Sequence, residues 1–200
     1  MKWKDIKLAT LQKMFSAEGS SIPTDDSTRD YIAGMPYVAN ECLQMICTNK
    51  KKLINSIDIE PGFGMEIGEY IRFKMSDLVS DFFEFTGEVY YTDGSTYERS
   101  DDYRTQANDV FIVPKRMSGT WTVYYAAYPE EITERTPDNY ELSVPSDVAA
   151  ILPLYMASQL YKEDDNGIAT SLRNEFEVAY DRLVQENYSI KMESFNESGW

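Results

Sequence analysis

The apolar positions are most regular between Tyr140 and Val184. Val148, Ile151, Leu152, Tyr155, Met156 and Leu160 recur three and four apart, the spacing of one helix face. Ser146 or Asp147 suits the N-cap, because a short side-chain oxygen accepts from free first-turn amides. Pro153 lies inside the pattern, and a kink is expected there. Asp164, Asp165, Asn166 and Gly167 then break the helix and restart the chain. A second stripe follows at Ile168, Leu172, Phe176, Ala179 and Leu183, with Arg173, Glu175, Asp181 and Arg182 on the opposite side. Two helices sharing one apolar seam need further helices, or a neighbouring subunit, to bury it.

The same period appears earlier. Ile6, Leu8, Leu11, Met14 and Phe15 predict a short amphipathic helix over 5–15. A polar loop follows over 17–26. Thr28 or Asp30 then opens a longer helix to about Thr48, with Tyr31, Met35, Val38, Cys42 and Met45 on one stripe. Pro36 is expected to bend its start, and Lys50, Lys51 and Lys52 suit the negative end of its dipole.

From Asn55 the period shortens to two. Aromatic and β-branched runs such as FFEFTGEVYY and TWTVYYAAY alternate between turn residues. Asp93-Gly94 between two such runs is a hairpin signal, because tight turns need positive φ. The expected class is α+β. Residues 1–58 and 136–186 form a helical bundle, and 59–135 an inserted antiparallel sheet domain, either a sandwich or an open barrel. Residues 187–200 form an extended C-terminal arm. That arm is polar, yet Tyr188, Ile190, Met192, Phe195 and Trp200 are spaced through it, which is unusual for a solvated tail. These five are the candidate partner-binding residues.

Composition narrows the chemistry. The 200 residues contain no histidine, which removes the commonest general base and metal ligand. HExxH, CxxC, P-loop, GxGxxG and GxSxG patterns are all absent. Asp93, Asp101, Asp102 and Asp109 do not match an EF-hand loop. Cys42 and Cys47 read as buried small hydrophobes. Neither catalysis nor a cofactor or metal is expected. The formal net charge of −15 opposes wrapping the outside of DNA but is compatible with lining a passage through which DNA slides. No apolar run is long enough for a transmembrane helix, and the basic N-terminus lacks the apolar stretch of a signal peptide, so a cytosolic protein is expected.

Three stretches resemble the head–tail connector proteins of tailed bacteriophages, also called adaptor or head-completion proteins. They are LATLQKMF followed by DYIAGMPYVANECLQMI, the strand-rich block ending in GTWTVYYAAYPEEIT, and VPSDVAAILPLYMASQLYKEDDNGIATSLRNEFEVAYDRL. The resemblance implies a virion protein of the neck, assembled in the host cytoplasm. Copies would form a twelvefold ring beneath the portal protein, meet a downstream tail protein, and continue the channel for DNA without reading its sequence. The large β insertion departs from plain helical connectors. A different reading takes the insertion's tyrosines, among them Tyr90, Tyr97 and Tyr124, as a carbohydrate- or protein-binding platform.

Overall fold

Helix-period segments from both ends of the chain meet in one core, and the strand-period segment between them makes a second core. The structure, a computed structural model, describes residues 1–15, 22 and 26–184. In chain order the elements are α1 (Trp3–Phe15), α2 (Asp26–Asn49), β1 (Leu53–Ile59), a 3-10 turn (Pro61–Phe63), β2 (Met65–Ile67) and β3 (Tyr70–Lys74). There follow α3 (Met75–Leu78), β4 (Phe82–Thr92), β5 (Tyr97–Arg99), β6 (Arg104–Gln106), β7 (Val110–Pro114), β8 (Thr120–Ala127), α4 (Ser146–Leu160) and α5 (Asn166–Asp181). The fold is α+β, with two antiparallel four-stranded sheets.

Helix α4 is apolar on nearly every side, which suits a helix surrounded by others. It contacts α1, α2 and α5. Trp3, Ile6 and Leu11 of α1, Met35, Leu43 and Ile46 of α2, Leu152 and Met156 of α4, and Phe176 of α5 share this core. The first amides of α1 are satisfied by another segment: Trp3 N donates to the Tyr140 carbonyl at 2.8 Å and Lys4 N to that of Asp138 at 3.0 Å.

Several details differ from the sequence reading. The position before α4 is Pro145, and no side chain caps this helix. Asp147 instead accepts from Lys51, because the end of α2 lies beside it. Pro36 falls eleven residues into α2, so it stands in the interior and not near the start. The buried stripe of α2 is rotated towards Met35, Ala39, Cys42, Leu43, Ile46 and Cys47, leaving Tyr31, Val38 and Met45 half-buried at its rim. In α5, Ala169 is buried and Ile168 faces outward, because α4 covers the adjacent face. Asp165 caps α5 by accepting from Ile168 N at 3.0 Å.

The sheets run β1-β8-β4-β5 and β2-β3-β7-β6. They face each other across Ile59, Val89, Trp121 and Val123 of the first and Ile71, Phe73, Phe111 and Val113 of the second, a sandwich. Strand β1 begins at Leu53, on the helical side of the boundary expected at residue 58, and pairs along its whole length with β8. The Asp93-Gly94 turn does join a hairpin, Thr92 pairing with Tyr97. Gly94 has φ +95°, and Asp93 Oδ1 accepts from Ser95 N at 2.9 Å and Thr96 N at 3.2 Å.

Candidate functional site

The five arm residues, Tyr188, Ile190, Met192, Phe195 and Trp200, lie outside the described residues. Their point of departure is described. Leu183 is buried in the helical core. Lys50 at the end of α2 holds the last turn of α5, its Nζ 3.7 Å from Asp181 Oδ1 and 5.0 Å from the Tyr180 ring centre. The last described turn, up to Leu183, therefore lies beside the end of α2.

The lysine triplet serves the joint between the two cores. Lys51 is buried, and its ammonium donates to Asp147 Oδ2 at 2.6 Å. This bond, more than any other influence, holds the Asp147 carboxyl below the usual carboxylate range. Lys52 pairs with Glu84 of β4. Beyond it opens a cleft of about 1050 Å³, lined by Lys52, Asn55, Asp81, Tyr128, Glu130 and Glu131 among others. Its polar groups are engaged in holding the chain: Asp81 accepts from Asn55 Nδ2 at 2.8 Å and from the Tyr125 hydroxyl at 2.9 Å, and Glu130 accepts from the Tyr140 hydroxyl at 2.5 Å. The return connection is pinned likewise. Asn40 Nδ2 donates to the Ile132 carbonyl at 2.7 Å, and Ile132 N donates to Asn40 Oδ1 at 2.9 Å.

The sequence reading missed the outer face of the second sheet. Strand alternation buries Ile71, Phe73, Phe111 and Val113 and turns their neighbours outward. One outward row runs Met65, Arg72, Ile112, Arg104 across four strands; the next runs Ile67, Tyr70, Pro114. Met65 is 67% exposed, Ile67 50%, and Phe63 in the adjoining turn 84%. The Arg104 guanidinium lies 5.6 Å from the Tyr70 ring centre. Neither Arg72 nor Arg104 makes an ion pair among the described residues. The alternation of β3 was legible in sequence, but not which side would be covered.

The opposite sheet carries a tyrosine group. Tyr90 and Tyr97 stack with centres 5.2 Å apart and planes 4° apart, and Tyr124 meets Tyr90 edge-on at 5.8 Å. Three of the four acidic candidates have partners within the fold. Asp93 caps its turn, and the bond from the Ser95 hydroxyl at 2.7 Å, followed by those from the Ser95 and Thr96 amides, lowers its carboxyl to about 2. Asp109 accepts from Ser76 N at 2.9 Å and Ser76 Oγ at 2.8 Å, and Asp102 lies 3.6 Å from Arg116. Cys42 and Cys47 are free and buried; burial pushes both thiols up, Cys47 to about 12. Among the described residues no group of three or more carboxylates and cysteines could hold a metal ion, and no helix is long and apolar enough to cross a membrane.

No protein-family model matches the chain, and no curated protein matches it either.

Proposed function

We propose that this protein is a head–tail connector subunit: a structural virion protein of the neck, without catalytic activity, that forms a ring beneath the portal and continues the DNA channel to the tail. The observation that carries this reading is the joining of helices from both ends of the chain into one core, with the resemblance to connectors strongest over the α4–α5 hairpin. The net charge of −15 suits a wall past which DNA slides, since phosphates find no cationic surplus. Closed rings of identical interfaces also suit an assembly that must end at a fixed size. Portal, neighbouring copies and a downstream tail protein are the partners, and assembly takes place in the host cytoplasm. The arm residues Tyr188, Ile190, Met192, Phe195 and Trp200 dock on the portal or a neighbour. Fixing any docked segment costs about 1–2 kcal/mol per residue in backbone entropy, and Phe195 and Trp200 are the anchors proposed to offset it.

The test is purified protein mixed with portal and imaged by electron microscopy. A ring on the portal is expected. A chain truncated after Glu186 should keep its melting temperature yet load poorly. Absence of any ring from the full-length mixture refutes the connector reading; equal loading of the truncated chain refutes the arm's role. A second reading, a carbohydrate-binding module, is favoured by the stacked Tyr90–Tyr97 pair. It requires glycan-array binding that Tyr97→Ala removes and no engagement of portal.

A further inference from the structure

We propose that the outer face of the β2-β3-β7-β6 sheet docks onto the outward stripe of α5 on a second copy of this chain. The sheet face presents exposed Met65 and Ile67 beside Arg72 and Arg104, two cations without an ion pair among the described residues, and Phe63 is exposed in the turn that precedes β2. Isolated apolar residues on a surface need no explanation, but several together, flanked by unpaired guanidiniums, form a docking patch. Its complement exists elsewhere on the same molecule. Ile168, Ser171, Glu175 and Val178 fall on the side of α5 turned away from α4, with Ile168 42% and Val178 53% exposed. Glu175 likewise makes no ion pair among the described residues. The apolar stripe of a helix laid on a sheet face is a common way to bury both.

Charge decides who meets whom. Sheet face against sheet face would bring Arg72 and Arg104 towards their own copies, and α5 against α5 would do the same for Glu175. Sheet against α5 sets Arg72 and Arg104 opposite Glu175, on a chain that is acidic overall and whose Glu69, Asp101 and Asp102 border the Tyr70–Arg104 edge of the sheet face. The two patches differ, so the contact is head-to-tail, and copies joined this way form a ring or an open chain. The inference draws on the connector reading only in taking that chain to close.

Two variants test it by sedimentation velocity of the full-length protein from about 10 μM to about 1 mM, the span over which weak contacts form. One carries Met65→Asp and Ile67→Asp, the other Val178→Asp. Wild type should grow past a dimer as concentration rises, and association should weaken as salt screens the charges. Each variant should associate at least about tenfold more weakly, the loss expected for a core contact. Mixed, the two should form a heterodimer and nothing larger, because each retains one intact patch. A wild type that stays monomeric overturns the proposal. So does a Val178→Asp variant that self-associates like wild type, a mixture that stays monomeric, or wild-type capture by anionic vesicles that Val178→Asp leaves unchanged and that replaces self-association. Circular dichroism verifies folding, and Arg72→Glu with Arg104→Glu repeats the sheet arm without introducing charge at an apolar site. Portal binding without self-association removes this inference and spares the connector reading; self-association without portal binding does the reverse.

Discussion

Replacing Phe176 by alanine tests how the α4–α5 hairpin is held. Phe176 is fully buried; its ring centre lies 5.1 Å from that of Tyr155 and 5.7 Å from that of Tyr180, and the Arg173 guanidinium sits 5.3 Å away. Truncation removes the transfer free energy of a buried ring and leaves a cavity, together about 3–5 kcal/mol. The lost ring contacts, about 0.5–1.5 kcal/mol per pair, place the effect in the upper half of that range. With a urea slope of about 2–3 kcal/mol/M for a chain of this size, the midpoint should fall by roughly 1.3–2.5 M. Far-UV circular dichroism reports the helices, and single-tryptophan variants that keep Trp3 or Trp121 report the two cores separately, since each contains one of them. Ile168→Ala is the control. The periodicity puts Ile168 on the same stripe, but the structure turns it outward, so its cost should stay within about 0.5 kcal/mol. Equal midpoint shifts for Phe176→Ala and Ile168→Ala would refute the packing of α5 described above.

Three further outcomes are expected. The Asp147 carboxyl ionises at lower pH in the folded protein than in the unfolded chain, so its contribution is complete above the unfolded value and is lost as pH falls through the folded one. Asp147→Asn should therefore flatten the acid limb of a stability–pH profile, and an unchanged limb would show the Lys51 bond to be unimportant. Asn40→Ala removes both bonds to Ile132 and should destabilise by about 1–3 kcal/mol, read by thermal melting, because it strands a part-buried backbone pair. Excising 53–127 and bridging with a Gly/Ser linker should leave a helical, soluble remainder by circular dichroism. Cutting at residue 62 instead would strand β1 without its β8 partner, so loss of helix in the 53–127 deletion, and not in the other, is the informative failure.

What the sequence determined by itself is local. Helical periodicity marked α1, α2, α4 and α5, strand alternation marked the inserted sheets, and Asp93-Gly94 marked a hairpin, because each depends on neighbours a few residues apart. Periodicity shows which side chains share a side, but not which side another element covers. Ile168 and Ala169 are adjacent at the stripe's edge, and only the position of α4 decides which of them is buried. Nothing local singles out Asn40 on α2, and only the fold brings Ile132 to it; Lys51, expected to suit the end of the α2 dipole, meets Asp147 from ninety-six residues away. The docking face came from tertiary structure for the same reason. Met65, Arg72, Ile112 and Arg104 are scattered along the chain, and only the register of four strands sets them in one row. Long-range pairing follows from the sum of many weak contacts, and no local spacing records it.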